Sequence, residues 1–219
     1  MRWWWVGETD TAAAVCEVLA GLVDWPAPVC FDSAEQALVA PLAQVPPLVV
    51  ARLELPCTSG IHLVRMLRRR TPRPRVLVVS ASDHPIYAIR ARKAGARGFQ
   101  RLELGSGAIA MAVLQVADGR VAVDRATVAA ITASSSDELG QRLGRLTPRE
   151  FEVLQMALRG RPVESIAAGL CLRPSTVERH LASLRRRIQV DDEAGLAALS
   201  KCLSVRSKYP LCRNSRDMA

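Results

Sequence analysis

The sequence predicts an α/β domain on a parallel sheet, followed by a small all-α helix-turn-helix domain. Three observations carry this expectation. Strand-like and helix-like segments alternate between residues 2 and 117 as five β–α units, the order that gives a parallel sheet with crossover helices. Residues 48–53 form an almost continuous apolar run, as in strands buried on both faces. Near the C-terminus, Val177, Leu181, Leu184 and Ile188 repeat at spacings of 4, 3 and 4, which places them on one face of a helix.

The first strand, residues 2–7, holds three successive tryptophans and Val6, large residues suited to a pleated, buried surface. A helix over about 11–22 follows, with Ala14, Val18 and Leu22 on one face. Pro28-Val29-Cys30-Phe31 is a second, short strand. Asp32 or Ser33 caps a helix running to about Leu42. After the apolar third strand, Gly60 to Arg70 is a helix ending in three arginines, suited to its negative C-terminal end. Arg75 to Ser80 is the fourth strand, and a helix over 84–94 is stopped by Gly95. Gly98-Phe99-Gln100 is the fifth strand, and residues 105–117 form the fifth helix. Ligand chemistry in such sheets gathers at the carboxyl ends of the strands, here Gly7-Glu8, Arg52 and Ser80.

Leu146 to Ile188 carries agreeing helix signals. Thr147 caps, Pro148 suits the first helical position, and Glu150 completes a capping box. A short helix around Ser165–Leu170 leads through Cys171-Leu172 to Arg173-Pro174 and the amphipathic helix, whose polar face carries Glu178, Arg179, Arg185 and Arg186. Two helices joined by a tight turn, the second basic on its outer face, make a helix-turn-helix. By periodicity alone, a small helical bundle with a solvated basic face is the alternative.

The net charge of +9 is unevenly distributed. Residues 1–144 carry 16 basic and 13 acidic side chains, hence +3; residues 145–219 carry 14 and 8, hence +6 over half the length. That concentration favours a polyanion partner for the second part. The six cysteines show no C-x-x-C pairing and no histidine at ligand spacing, so they are expected to be reduced, mostly buried small hydrophobes in a cytoplasmic protein. No apolar run reaches the length of a membrane span, and the apolar start at Trp3–Val6 is too short for a signal-peptide core. His62, His84 and His180 are too dispersed for a metal site. Ser80, Asp83 and His84 offer no arguable nucleophile–base geometry. Neither a catalytic activity nor a cofactor is expected.

Leu146-Thr147-Pro148-Arg149-Glu150, Ile166-Ala167 with Leu170, and Thr176-Val177 with His180 resemble the DNA-binding domain of the LuxR/NarL/FixJ family of bacterial regulators. The resemblance implies a scaffold helix over 147–159, a positioning helix over 163–170, a recognition helix over 174–188, and a dimerising helix near 191–203. On that last helix Leu196, Leu199 and Leu203 repeat at spacings of 3 and 4, which suits a dimer contact and the domain's own core about equally. It also implies that Glu178, Arg179 and Ala182 face the bases, while Ser175, Thr176, Arg185 and Arg186 hold phosphates. Glu178 stands where the family commonly has lysine, and Arg173 where a capping serine is common.

Leu55-Pro56, Gly60-Ile61 with Leu63, and Ala94-Gly95-Ala96-Arg97-Gly98-Phe99 look like the receiver domain of two-component response regulators, with a flavodoxin-like strand order 2-1-3-4-5. The chain departs from that pattern at the phosphorylation site. The position of the acceptor aspartate, four residues before Pro56, is Arg52. The acid pair after the first strand is reduced to Gly7-Glu8, and the lysine position is Leu102. Ser80 at the hydroxyl position and Phe99 at the aromatic position are kept. Arg52 is expected to enter this degenerate pocket and pair with Glu8 or Asp10. Glu54, further along the strand, is not expected to substitute for the missing acid.

The expected organisation is a pseudo-receiver over 1–117, a linker over 118–145, the helix-turn-helix domain over 146–203 and a poorly ordered basic tail over 204–219. Within the linker, Asp118 to Val123 resembles the family's exit from the receiver, Ala126 to Ile131 is a helical turn, and Ser134 to Asp137 is the flexible point. The function implied is sequence-specific binding of double-stranded DNA by a homodimeric transcription regulator, controlled without aspartate phosphorylation. A small ligand or a protein acting at the receiver is left open. The competing reading is an antagonist that pairs with other regulators and binds DNA weakly.

Overall fold

The computed structural model describes residues 1–56, 58–134, 138–190 and 193–203. Among them the sheet has six strands: β1 (Trp3–Val6), β2 (Val29–Phe31), β3 (Leu48–Arg52), β4 (Arg75–Ser80), β5 (Gly98–Arg101) and β6 (Ala122–Val123). All neighbours pair in parallel, in the order β2-β1-β3-β4-β5-β6. The expected five-strand order is present, with β6 added at the edge from what was expected to be linker. Gly98 permits that addition: a Cβ there would lie 2.7 Å from the Ala122 carbonyl oxygen.

The three tryptophans are sorted by the period-two alternation of a strand. Trp3 and Trp5 join Leu48, Val50, Leu77 and Val79 on one face, under α1 (Thr9–Ala20) and α5 (Gly105–Ala117). Trp4 joins Val6, Val49, Ala51, Val76 and Val78 on the other, under α2 (Ala34–Val39), α3 (Gly60–Leu67) and α4 (Pro85–Ala94). The buried indole N–H groups find carbonyls, as such groups must: Trp3 donates to Pro26 O and Trp5 to Glu8 O, both at 2.9 Å.

Several boundaries differ from expectation. The buried stripe of α1 is Ala12, Val15 and Leu19, not Ala14, Val18 and Leu22. The helix ends at Ala20, which leaves Leu22 beyond it and 53% exposed. α2 stops at Val39 because Ala40 precedes Pro41 and takes an extended conformation, as residues before proline do. α3 ends at Leu67, so the three arginines occupy the turn after it. The cysteines are less buried than expected: Cys16 is half-buried, while Cys30, Cys171 and Cys202 are exposed and free. Cys57 and Cys212 lie outside the described residues, as do 135–137 of the expected flexible point and the tail 204–219. No helix among the described residues is long and apolar enough to cross a membrane.

Between the domains, α6 (Arg125–Ser134) packs on α4, and α7 (Glu138–Arg145) packs on α4 and on α10 (Pro174–Ile188). The segment expected as linker is therefore mostly helix, and Leu143 of α7 is fully buried. The helical domain continues with α8 (Pro148–Leu158), α9 (Val163–Gly169), α10 and α11 (Glu193–Cys202). Its capping box forms as read: Thr147 Oγ1 accepts from Glu150 N at 3.2 Å, and Glu150 Oε2 accepts from Thr147 N at 2.8 Å. Glu150 also accepts from Ser183 Oγ at 2.8 Å, which ties α8 to α10.

The two domains share one continuous apolar layer, sealed by a buried ionic cluster. Glu152 of α8, 2% exposed, meets Arg65 at 2.6 Å and His62 at 3.2 Å from α3, and Arg149 at 2.9 Å from its own helix. Arg90 of α4 lies 4.7 Å above the Phe151 ring. It donates to Leu146 O at 2.8 Å and also to Leu143 O. Tyr87 meets Phe151 edge-on at 5.9 Å, and Ser82 Oγ donates to Leu203 O at 2.8 Å. Burial alone would raise the Glu152 carboxyl, but the His62 hydrogen bond and charge, the Arg65 charge and the Arg149 hydrogen bond outweigh it and hold the group below the usual range.

A carboxyl lowered by folding contributes stability that is full above its unfolded value, about pH 4.3, and is lost as pH falls through the folded value. Domain docking should therefore loosen on the acid side of that value, and Glu152→Gln should flatten the acid limb. Glu152→Ala leaves Arg65 and Arg149 without their shared partner and should cost about 3–5 kcal/mol. Urea unfolding and the radius of gyration in solution, followed against pH, test this. An unchanged radius and an unchanged midpoint in Glu152→Ala would refute it.

Candidate functional site

The outer face of α10 is built by helical spacing. At about 100° per residue, Ser175, Glu178, Arg179, Ala182, Arg185 and Arg186 fall within an arc of about 120°. The opposite arc holds Val177, Leu184 and Ile188, all buried against the helical domain. Ser175, Glu178, Arg179, Ala182 and Arg186 are exposed, and Arg185 is half-buried. Thr176 lies at the flank of the arc and is half-buried. The salt bridge from Glu178 to Arg179 or Arg185 that the sequence allows is not formed. α10 is held from behind by Arg142 donating to Ile188 O at 3.4 Å, Arg187 donating to Arg145 O at 3.3 Å, and Arg187 meeting Glu150 at 3.4 Å. Burial would raise the Glu150 carboxyl, but the Thr147 amide, the Ser183 hydroxyl and the Arg187 charge outweigh it and keep it low.

The second site is the pocket at the carboxyl ends of β1, β3 and β4. Arg52, 5% exposed, enters it, and its Nη1 donates to Glu8 Oε2 at 3.2 Å. Its Nη2 lies 3.7 Å from Glu54 Oε2. Of the two partners expected for Arg52, Glu8 is the one engaged. Gly7 is part of the same arrangement. Its φ is +132°, and a Cβ there would lie 2.3 Å from Arg52 Cγ, so an acid at this position and the arginine exclude each other sterically. Glu54 accepts from Ser80 Oγ at 2.7 Å and from the Ala81 amide at 3.2 Å. Glu54, expected only not to substitute for the missing acid, does take part in the pocket: its carboxylate occupies the hydroxyl and amide donors at the end of β4. The Ser82 amide donates to Ser80 Oγ at 2.9 Å, and the Ser82 hydroxyl reaches Leu203 O. A chain of hydrogen bonds thus runs from the pocket to the end of α11.

A profile of the luxR family of bacterial regulatory proteins matches residues 144–200, and one of response regulator receiver domains matches residues 12–101. The transcriptional activator protein ExaE of Pseudomonas putida is 32% identical over 171 residues, 77% of this chain and 80% of that protein. The probable transcriptional regulatory protein NarL of Mycobacterium tuberculosis is 31% identical over 197 residues, 88% of this chain and 79% of that protein. This chain belongs to the LuxR family of response regulators. Its fold is that of a solved RcsB from Salmonella enterica serovar Typhimurium bound to promoter rprA, with a TM-score of 0.71 at 20% identity over 94% of this chain and 100% of that one.

For this LuxR-family chain, the receiver positions named from the sequence are brought together only in part. Gly7, Glu8, Arg52 and Ser80 share the pocket through the contacts above. Phe99 is buried at 1% exposure. Leu102 instead begins a 3₁₀ turn and packs on the Trp3–Trp5 face of the sheet. The cation beside it, Arg101, is held by Glu103 and by Asp124 at 3.2 Å. His84 caps α4, its Nδ1 accepting from Ile86 N at 3.2 Å. In α11, Leu199 and Leu203 are 4% and 1% exposed and belong to this chain's own core, and Ser200 Oγ donates to Leu158 O at 3.2 Å. Of the two roles open to these leucines, the core one is occupied, since helix α8 and the rest of the core cover them. The side chain of Leu196 lies outside the described residues. Sequence reasoning missed Ser82, Arg90 and Glu152, which have partners distant in the chain.

Gly7→Ala should destabilise the protein by roughly 1–3 kcal/mol, through overpacking against Arg52 and the positive φ. Arg52→Ala removes the Cγ at 2.3 Å but keeps the Cβ at 2.8 Å, so it relieves part of the clash and the double variant should lose less than the two single losses combined. The coupling should be on the order of 1 kcal/mol. A double-mutant cycle by urea unfolding measures it, and strict additivity would show that the two residues do not share the pocket.

Proposed function

We propose that this protein is a dimeric, sequence-specific transcription regulator whose DNA binding is set without phosphorylation of its receiver. The observation that carries the second half of this reading is the Arg52 side chain lodged between Glu8 and Glu54. Aspartyl phosphate needs a carboxylate nucleophile, and Mg²⁺ needs several hard oxygen ligands. The residues present do not fit either: a guanidinium stands at the acceptor position, and the carboxylates beside it are engaged with it. Glu54 also supplies internally the negative group that the Ser80 hydroxyl and the Ala81 amide receive, so those donors have a partner without an incoming phosphoryl group. These features support a pseudo-receiver.

The DNA face is the outer arc of α10. Arg179 reaches toward base edges, where arginine pairs with guanine O6 and N7. Ala182 allows close approach, and Glu178 accepts from cytosine N4 or excludes sequences that lack a donor there. Arg185, Arg186, Ser175 and Thr176 hold phosphates. This arc is open while the domains are docked, since docking runs through α3, α4, α7, α8 and the end of α11. ExaE is named an activator, and solved structures describe RcsB on promoter DNA and as two dimers on two parallel DNAs. The same assembly is the reading here, with the exposed residues Ala198, Lys201 and Cys202 of α11 as the dimer contact instead of the buried leucines. Glu178 on the open arc favours the antagonist as the second reading, since an acid there opposes the backbone phosphates.

Arg179→Ala should reduce discrimination between operator and scrambled duplex by about 1–3 kcal/mol, with a smaller change on the scrambled duplex. Arg186→Ala should weaken both alike and reduce the salt slope by about one counterion. Fluorescence anisotropy across a salt series, on paired and single half-sites, separates these effects. Identical behaviour of the two variants would remove Arg179 from base reading. Equal affinity for single and paired half-sites would remove the dimer. Wild-type protein with no preference for any genomic duplex would favour the antagonist.

A further inference from the structure

A cleft of about 600 Å³ opens between the two domains, bordered by α3, the turn after it, α4, and the α7–α8 junction. That volume lies in the range of small-molecule sites. Six cations line it, Arg65, Arg68, Arg69, Arg73, Arg90 and Lys93, and no acidic residue does. Ile61, Leu146 and Phe151 lie behind these cations and are almost fully buried.

Three of the cations have internal roles. Arg65 is paired with Glu152 and Arg68 donates to Ala94 O at 3.3 Å. Arg90 is 6% exposed, donates to two carbonyls, stacks on Phe151 and is supported by the Glu150 charge, while its Nε lacks a hydrogen-bond partner among the described residues. The side chains of Arg69, Arg73 and Lys93 make no hydrogen bond or ion pair among the described residues. They are exposed and contribute nothing visible to the fold, yet they crowd like charges around one concavity.

We propose that this cleft binds a small polyanion bearing two or more phosphate groups, of the size of a nucleotide. Guanidinium forks match phosphate oxygens in bidentate geometry, and a di- or triphosphate brings enough negative charge to answer the unpaired cations. Because α3 and α4 belong to the receiver while the opposite wall belongs to the DNA-binding part, the bound anion bridges the two. It binds the docked arrangement better than a separated one, and so shifts the protein toward it. This supplies a chemical input that does not use the Arg52 pocket.

The test is calorimetric titration of the full chain with sodium tripolyphosphate and with ATP, at fixed ionic strength. Saturable binding with one site per chain is expected, accompanied by a rise in Tm. The double variant Arg69→Ala/Lys93→Ala, which touches no internal contact, should bind at least tenfold more weakly. Arg179→Ala/Arg186→Ala should bind tripolyphosphate as the wild type does. Absence of saturable binding by the wild type overturns the proposal. So does the reverse pattern, in which only the α10 variant loses the anion. If Arg69→Ala/Lys93→Ala instead weakens duplex DNA and leaves tripolyphosphate unchanged, the cleft is a DNA backbone contact and the proposal also fails.

Discussion

The buried Arg52 guanidinium can stand at the carboxyl end of the sheet only because carboxylates flank it, Glu8 from the end of β1 and Glu54 from the chain just past β3. An unpaired guanidinium at 5% exposure would be strongly destabilising. Other features of the pocket follow from accommodating it. The residue after β1 must lack a Cβ, and Gly7 does. The carboxylate of Glu54 must turn inward, which also places it on the Ser80 hydroxyl and the Ala81 amide. The Arg52 charge is thus answered by the chain's own carboxylates, and two positions that differ individually from the receiver pattern, Gly7 and Arg52, are one physical solution.

That pocket is not isolated from the DNA-binding part. Ser80 accepts from the Ser82 amide, and the Ser82 hydroxyl donates to the last turn around α11. Alongside this chain, Glu152 gathers Arg65 and His62 from α3, and Arg90 of α4 reaches two carbonyls at the α7–α8 junction. The receiver face that meets the helical domain is therefore polar at specific points and apolar between them, as in an interface that fixes orientation as well as affinity. The open arc of α10 lies outside it, so docking leaves those side chains exposed.

Much of this was legible in the sequence because it is local. The capping box at Thr147–Glu150, the span of α10, the buried third strand and the position of Arg52 follow from spacing within a few residues. What was not legible depends on contacts across long separations. The stripe of α1 was misassigned because its alanines and valines support two faces, and only packing on Trp3, Trp5 and α5 chooses Val15 and Leu19. β6 has two residues and exists because Gly98 leaves room for it. α7 is polar by composition, and one residue, Leu143, anchors it in the core. Glu54 looked displaced from the pocket because strand spacing alone does not show that the chain turns after Arg52. Leu199 and Leu203 were equally suited to a dimer seam and to a core, and α8 takes them.

The central claim is that the receiver operates without a phosphoryl group, and the most direct measurement is the intact mass of the protein after incubation with acetyl phosphate and Mg²⁺, paired with operator affinity with and without beryllium fluoride. With Arg52 at the acceptor position, the account predicts an unchanged mass and an unchanged affinity. Gain of one acid-stable or acid-labile phosphoryl group in the receiver, or a beryllium fluoride-dependent rise in operator affinity, would contradict it.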